Sequence, residues 1–275
     1  MEKLTIQCEI VTPLLMHGVD GKTPELREQS FKGVMRFWWR AICGNLSLKE
    51  LKETEAMIFG NTEKKSSFRM KLINNNLNID EFNPLPHKNS NFRIKGFSTN
   101  QTFEIEFFGR NLDLVKDIFI LSTILGGFGQ RSRRGFGVIQ VIDNIDKSYV
   151  YNLIKEINPN CSFRSNLKYP YLKSIEISEI GEKGEKDVYK LLKRIGEATH
   201  NYPYFGSANP RFASPLWVSI IRKDGFFYPV VSELNSPIFC CKKIMNKKEE
   251  FRNKEENEKT EICVKYLQEF KKAIL

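Results

Sequence analysis

The segment between residues 125 and 137 has the composition of an anion-binding loop. It reads Leu-Gly-Gly-Phe-Gly-Gln-Arg-Ser-Arg-Arg-Gly-Phe-Gly, with five glycines, three arginines and no acid. Glycines permit positive φ angles and turn consecutive backbone N–H groups toward one point, and guanidinium groups present forked donors that suit phosphate oxygens. The residues expected to contact a nucleic-acid backbone here are Gly126, Gly127, Gly129, Arg131, Arg133, Arg134, Gly135, Phe136 and Gly137. The alternative is a glycine-rich turn whose arginines merely face water.

Two mononucleotide motifs do not fit this loop. A Walker loop needs Gly-Lys-Ser/Thr before a helix, whereas this segment lacks that triplet and runs from a predicted helix into a predicted strand. The dinucleotide fingerprint fails because Ser132 follows Gly127-x-Gly129 and the flanking elements have the wrong order. Residues 134–141 do resemble the first ribonucleoprotein signature of RRM domains. They depart from it at Val138 and Val141, where stacking aromatics are expected, which leaves Phe136.

A predicted helix from about Leu26 to Gly44 carries a second basic segment. Its apolar residues recur at spacings of three and four and form one face, namely Phe31, Val34, Met35, Trp38 and Ile42. The opposite face holds Gln29, Gly33, Arg36 and Arg40. A glycine there allows close backbone approach, where a helix selected only for stability would carry alanine. The residues expected to contact phosphates from this helix are Arg27, Lys32, Gly33, Arg36 and Arg40. Trp39 points between the two faces and is placed to stack on a base or on a neighbouring subunit. The alternative is an ordinary solvated basic face.

The elements that position these segments follow from hydrophobic periodicity. In the first half they are a strand at Leu4–Val11, the helix, a strand at Phe68–Leu72, a hairpin of Phe92–Phe97 with Thr102–Phe108, a helix at Leu112–Leu125 and a strand at Gly137–Ile142. This order of strand, helix, strand, strand, helix, strand is ferredoxin-like, or RRM-like.

The second half repeats this order imperfectly. Its predicted elements are a strand at Tyr169–Ile177, a helix around residues 188–195, a hairpin turning at Asp224-Gly225 and a terminal helix over residues 262–274, without a visible closing strand. We therefore predict an α+β fold of two tandem ferredoxin-like domains, residues 1–147 and 148–275, with a glycine-rich loop. The stretch 242–259 is rich in Lys, Glu and Asn and is predicted to be a solvated loop or helix start.

Charge and composition limit the possible partners. The 275 residues include 43 Lys and Arg against 33 Asp and Glu, a net charge of +10, which favours a polyanionic partner. No apolar run reaches 18 residues, and the chain begins directly with a strand pattern, so we expect neither a membrane span nor a signal peptide. None of the six cysteines forms a C-x-x-C pair, and Cys240-Cys241 is too close for an ordinary disulfide. Reduced buried thiols, a cytoplasmic location and neither metal nor cofactor are expected.

The two basic segments together resemble a known family. Residues 24–40, Pro-Glu-Leu-Arg-Glu-Gln-Ser-Phe-Lys-Gly-Val-Met-Arg-Phe-Trp-Trp-Arg, are similar to the first-helix motif of the RAMP superfamily of CRISPR proteins. The Phe-Trp-Trp-Arg ending most resembles the branch formed by the first-numbered subunits of the Cmr complex, the type III-B RNA-guided effector. The glycine-rich loop resembles that of the same superfamily. Thr12-Pro-Leu-Leu and Arg211-Phe-Ala-Ser-Pro-Leu216 also match the branch.

The resemblance implies two tandem ferredoxin-like domains and a non-catalytic RNA-binding subunit. Such a subunit would lie near the far end of the guide RNA and help to capture target RNA in antiviral defence. Its partners would be single-stranded RNA, guide or target, and other RAMP subunits of a Cmr-type complex.

A guide-RNA-processing endoribonuclease of the same superfamily is the alternative function. Some relatives use a histidine as general base or an aspartate after the first strand, and this chain has His17 and Asp20 there. No second His or Tyr is placed by the sequence to complete an acid–base pair, and Asp20-Gly21 is foremost a turn signal. A third possibility is a scaffold that binds only proteins, for which Tyr202-Pro-Tyr-Phe-Gly206 would be an interface.

Overall fold

The apolar patterns fold into six helices and eleven strands in the part of the chain that the structure, a computed structural model, describes. That part comprises residues 2–73, 76–88, 90–143, 145–161, 171–177, 184–201, 207–208, 211–212, 214–235 and 256–275. The helices are α1 (Glu28–Ile42), α2 (Leu48–Phe59), α3 (Leu112–Leu125), α4 (Lys147–Ile157), α5 (Val188–Asn201) and α6 (Glu256–Ile274). The strands are β1 (Glu2–Ile10), β2 (Phe68–Ile73), β3 (Ile79–Phe82), β4 (Ile94–Phe97), β5 (Thr102–Gly109), β6 (Ile139–Gln140), β7 (Leu172–Ile177), β8 (Ser207–Ala208), β9 (Arg211–Phe212), β10 (Leu216–Lys223) and β11 (Phe226–Leu234).

The first half is built on a four-stranded antiparallel sheet in the order β2-β5-β1-β6. The alternation predicted for β1 is present, since Cys8 and Ile10 are buried while Thr5 and Gln7 are exposed. Helices α1 and α3 pack together against this sheet. The expectation of a mixed α+β fold is therefore confirmed.

The predicted hairpin of residues 92–97 with 102–108 is wrong. Strand β4 pairs with β3, an element that the sequence analysis missed, and Leu14 bridges to Phe97. The reason is that β5 has no free edge: β1 pairs along one side of it and β2 along the other. The β3–β4 ribbon is thus a separate two-stranded sheet.

The second half contains a three-stranded antiparallel sheet in the order β10-β11-β7. The predicted turn between β10 and β11 is present, with positive φ angles at Asp224 (50°) and Gly225 (77°), as a tight hairpin requires. The sequence showed no closing strand, and the described residues add none to this sheet. The tandem ferredoxin-like repeat therefore stays a prediction. Most of the Lys/Glu/Asn-rich stretch 242–259, and Cys240 and Cys241, lie outside the described residues.

One hydrophobic core spans both predicted domains. Trp38 of α1 packs against Trp217 of β10 with ring centroids 5.2 Å apart, and both belong to the same buried cluster. Arg222 makes a two-pronged ion pair with Glu9 at 2.5 and 2.6 Å, which ties β10 to β1. Since α4 begins at the predicted boundary and packs on α3, the division at residue 147 also stays a prediction.

The thiols of Cys8, Cys43 and Cys161 are buried and form no disulfide. Burial raises the pKa of each, that of Cys43 to about 12, so these cysteines act as small apolar core residues. Among the described residues, no helix is both long and apolar enough to cross a membrane. In the same residues, no group of three His, Cys, Asp or Glu side chains is placed to hold a metal ion.

Candidate nucleic-acid interface

The glycines of the loop between α3 and β6 are required by the loop's own packing. Gly137 has a φ of +69°, and a Cβ there would overlap the carbonyl oxygen of Phe128. Gly135 has a φ of +80°, and its Cβ would lie 3.0 Å from Leu192 of α5. A Cβ at Gly127 would come 2.5 Å from the carbonyl oxygen of Phe136. These close approaches are to the protein's own atoms, so they account for the glycines without a phosphate.

Close contacts within the protein also leave no room for a Cβ at Gly126 and Gly129. A Cβ at Gly126 would overlap the indole nitrogen of Trp38, and a Cβ at Gly129, where φ is +80°, would lie 2.5 Å from the carbonyl oxygen of Leu15. Gly129 is the exposed member of the set, whereas Gly126, Gly127, Gly135 and Gly137 are buried. The glycines thus shape the loop, and its arginines remain to provide any contact with an anion.

Backbone carbonyls and aromatic rings hold the three loop arginines in place. Arg131 is exposed, has a φ of +61° and donates from Nε to the carbonyl oxygen of Pro84 at 2.9 Å. Arg133 donates to the carbonyl oxygen of Ser214 and lies over the Trp217 ring, 4.7 Å from its centroid. Arg134 donates to carbonyl oxygens of residues 133 and 216, and its own backbone bridges to Val218 at the edge of β10.

No carboxylate neutralises these three arginines in the part of the chain that the structure describes. Partial burial of the guanidinium groups lowers the pKa of all three, including that of Arg131, whose residue as a whole is exposed. For Arg134, burial together with the like charges of Arg131 and Arg133 lowers the pKa to about 10. The fold therefore holds three like charges close together, an arrangement that an anion would stabilise.

Two aromatic residues predicted to stack on bases do not face solvent. Trp39 is 2% exposed and packs edge-on against Phe59 of α2, with ring centroids 6.3 Å apart. Phe136 is also 2% exposed and belongs to the buried cluster around α5. Both predictions were wrong because elements distant in the sequence cover these rings. Trp38, predicted to be core, is fully buried.

The arginines of α1 are already paired. Arg36 and Arg40 contact the two carboxylate oxygens of Glu55 at 3.3 and 3.1 Å. Arg36 also donates to the carbonyl oxygens of Phe59 and Gly60 at 3.2 and 2.8 Å, at the C-terminal end of α2. Helix α2 was not predicted, although Ser47 and Glu50 form a capping box, a signal readable from the sequence. The predicted basic face is thus partly neutralised.

The start of α1 is the more open part of this face. Gly33 is exposed, and a Cβ there would meet nothing within 4 Å. Lys32 lies over the Phe68 ring, with Nζ 4.8 Å from the centroid, and burial, then the charge of Arg36, lowers its pKa. Arg27 precedes the helix and lies 3.8 Å from a carboxylate oxygen of Glu25. The open space at Gly33 is what close approach of a partner would need.

His17 and Asp20 make structural contacts. The carboxylate of Asp20 accepts hydrogen bonds from the backbone of Lys22 and Thr23 and from the Thr23 hydroxyl. These bonds, that of the hydroxyl first, lower the pKa of Asp20 to about 2 and close the turn of residues 18–24. Nε2 of His17 is 2.8 Å from the carbonyl oxygen of Lys95, and its Nδ1 is 3.4 Å from Gln130.

The structure adds residues that the sequence analysis did not single out. Phe37 of α1 packs on Trp217 and lies under the Arg133 guanidinium, at 5.7 Å, so it links α1 to the loop. His87 and His200 come together with ring centroids 5.4 Å apart, although 113 residues separate them. No sequence signal pairs them, since their proximity depends on how α5 packs. The predicted interface Tyr202–Gly206 lies outside the described residues.

Comparison with known proteins gives matches along most of the chain. Residues 7–140 match the model of the RAMP superfamily. The Cmr subunit Cmr1-2 of Pyrococcus furiosus is 44% identical over 69 residues, which cover 24% of this chain and 37% of that protein. The Cmr subunit Cmr1-1 of the same organism is 26% identical over 78% of this chain and 82% of its own length.

Solved structures share the fold. The crystal structure of Cmr1 from Pyrococcus furiosus in its apo form matches with a TM-score of 0.60 and 17% identity, over 86% of this chain and 89% of that one. A chain of type III-B Cmr-beta, determined by cryo-EM with cognate target RNA and AMPPnP bound, matches with a TM-score of 0.57 and 12% identity. That match covers 85% of this chain and 95% of the other.

Proposed function

We propose that this RAMP superfamily protein is a non-catalytic, RNA-binding subunit of a type III-B Cmr effector. It would help to capture target RNA near the far end of the guide RNA in antiviral defence. The relatives it resembles over most of its length are Cmr subunits, and a chain with the same fold belongs to Cmr-beta bound to target RNA. Other RAMP subunits of the complex would be its protein partners.

The observation that carries the RNA-binding role is the state of the loop arginines. Arg131, Arg133 and Arg134 are fixed by carbonyl oxygens and an aromatic ring, with no acid beside them in the described structure. Such a cluster has guanidinium donors that are not used within the protein, and its positive charge is uncompensated. A phosphate backbone would accept hydrogen bonds from these donors and compensate the charge, because it presents repeated anionic acceptors.

A salt titration tests this role with the full chain. Binding of labelled single-stranded RNA should weaken with salt at a slope of about −0.7 per phosphate neutralised. Replacing the three loop arginines by glutamine should make the slope shallower by about 2. The matched control replaces three exposed arginines elsewhere by glutamine, namely Arg69, Arg93 and Arg110. Equal effects in both triple variants would contradict the assignment to the loop.

A test of the target-capture role requires the assembled complex. Cmr complexes reconstituted with the loop variant should retain the subunit but bind target RNA more weakly than wild-type complexes. If the complex loses the subunit instead, the loop serves protein contacts and the scaffold function is the better description.

The absence of catalysis is part of the proposal. Asp20 holds a turn and both ring nitrogens of His17 have partners, so neither is poised to move a proton on a substrate. Labelled repeat RNA incubated with the protein, with and without Mg²⁺, should stay intact. Cleavage that disappears in His17→Ala or Asp20→Ala would establish the processing endoribonuclease instead.

A further inference from the structure

A cleft of about 210 Å³ separates the segment of residues 84–88, the arginine loop and α5. His87, Lys88, Arg131, Arg134 and His200 line it. These five side chains are cationic or can become so. The cleft is smaller than the roughly 300–1,000 Å³ of pockets that hold drug-sized ligands, so it fits one small charged group.

Two contacts hold the walls of the cleft together. Arg131 donates to the carbonyl oxygen of Pro84 and so fixes the 84–88 segment against the loop. Gly196, in the interior of α5, makes room for His87, because a Cβ there would lie 2.5 Å from Nδ1 of the imidazole. A helix-interior glycine costs roughly 1 kcal/mol relative to alanine. That glycine gives His87 its place in the same cleft as Arg131 and Arg134.

The Nδ1 atom of His87 faces Gly196 of α5, which leaves Nε2 as the ring nitrogen for a ligand. This Nδ1 is buried and lacks a hydrogen-bond partner within the described structure. Burial, then the charges of His200, Lys88 and Arg131, lowers the pKa of His87, and Glu197 of α5 opposes them. These surroundings favour the neutral imidazole, and a negative charge that entered the cleft would favour uptake of a proton.

We propose that this cleft binds a phosphate group of RNA, with His87 and His200 joining Arg131, Arg134 and Lys88 around its oxygens. Arg131 uses only Nε, and Arg134 only Nη1, in the hydrogen bonds formed by the described residues, so each keeps donors for a ligand. The inference deepens the proposed RNA-binding function and rests on it for the source of the phosphate. The shared chemistry is a phosphate oxygen cluster, either within the strand or at one of its ends.

Imidazole NMR signals of the full chain test the site directly, because the chain has only three histidines. Inorganic phosphate should move the signals of His87 and His200 saturably and leave those of His17 in place. Sulfate, which does not titrate near neutral pH, should act in the same way. Bound sulfate should raise the pKa of His87, so sulfate should bind more tightly as the pH falls from about 8 to about 6. No shift, or equal shifts at His17, would overturn the proposal.

Two exposed positions provide the variants. Lys88→Gln and His200→Gln should each weaken phosphate binding about tenfold, the loss of one charge-assisted hydrogen bond. Lys190→Gln, on α5 but outside the cleft, and His17→Gln are the matched controls and should bind as wild type. Wild-type affinity in both cleft variants would overturn the site.

Oligonucleotides identify the source of the phosphate. RNA strands with a 5′-phosphate, a 3′-phosphate or neither should compete with sulfate; equal competition indicates an internal phosphodiester, and preference for one strand indicates that end. If phosphate binds in the cleft but RNA binds nowhere on the chain, the cleft is an anion site and the RNA-binding function fails. If RNA binds through the loop without moving His87 or His200, the RNA-binding function stands and the cleft proposal fails.

Discussion

The helix α1 and the loop before β6 carry similar basic residues but hold them in different states. Glu55 contacts both Arg36 and Arg40 on the helix, whereas the loop arginines have backbone carbonyls and aromatic rings as partners. An ion pair reduces what an arginine can contribute to an external anion, because its charge is already compensated. The number of arginines in a segment therefore says less about RNA binding than the carboxylates that the fold brings to them.

The glycines of the two regions also differ, because the packing of the loop requires its glycines whereas the packing of the helix does not require Gly33. Gly137 and Gly135 of the loop have positive φ angles and close neighbours, so the fold itself requires them. Gly33 of the helix has ordinary helical geometry and open space at its Cβ position. The loop would thus act through its side chains, and the helix through the absence of one.

The largest expected effect is on the stability of the loop. Gly137→Ala should lower the free energy of unfolding by at least about 3 kcal/mol, because the new Cβ requires a positive φ and overlaps the Phe128 carbonyl. Gly225→Ala is the control, since its φ is also positive (77°) but its surroundings are open, and it should cost only about 1 kcal/mol. Urea unfolding measures both. Equal costs would mean that the loop can relax around the added methyl group.

Arginine-to-methionine substitutions should change the free energy of unfolding in opposite directions in the two regions. Arg36→Met removes hydrogen bonds to the C-terminal end of α2 and one partner of Glu55, and should cost about 2 kcal/mol. Arg134→Met removes a half-buried charge with two like charges beside it and should stabilise the free protein by about 1 kcal/mol. The same Arg134 variant should lose about tenfold in RNA affinity. Destabilisation by both substitutions would contradict the contrast between paired and unpaired arginines.

The sequence was sufficient where local pattern decides the structure. The period of α1, the alternation of β1 and the Asp224-Gly225 turn each depend on near neighbours and were predicted correctly. The pairing of β4 was not, because it depends on which edges of β5 other strands occupy. Strand pairing is a property of the whole sheet, whereas periodicity is a property of one segment.

The candidate site divides in the same way. Composition was enough to locate the arginines, but their partners come from elements far along the chain. Glu55 lies in α2, a helix that was not predicted despite its capping box. Trp39 and Phe136 were expected to stack on bases and are instead covered by α2 and by the cluster around α5. Exposure was what the sequence predicted least well, since it depends on long-range packing.

A smaller effect should separate stability from function on the helix. Gly33→Ala should stabilise the protein by about 0.8 kcal/mol, as expected for replacing an exposed helix-interior glycine. If RNA or a partner subunit approaches the helix backbone there, the same variant should bind or assemble less well. Thermal unfolding gives the change in stability, and the fluorescence anisotropy of labelled RNA gives the change in affinity for the same preparation. Stabilisation with unchanged RNA binding and unchanged assembly would leave the helix without an interface role.

The smallest expected effect concerns the carboxylate that distinguishes the two regions. Glu55→Gln removes the shared partner of Arg36 and Arg40 and leaves their positive charges uncompensated. If RNA passes near this face, its affinity should rise about threefold at low salt, or roughly 0.7 kcal/mol, with a steeper salt dependence. Glu53→Gln, an exposed position on the same helix with the same change in charge, is the control and should shift affinity less. An equal gain in RNA affinity in both variants would indicate a general effect of net charge. A gain specific to Glu55→Gln would show that α1 has a basic surface whose charge is compensated by one carboxylate.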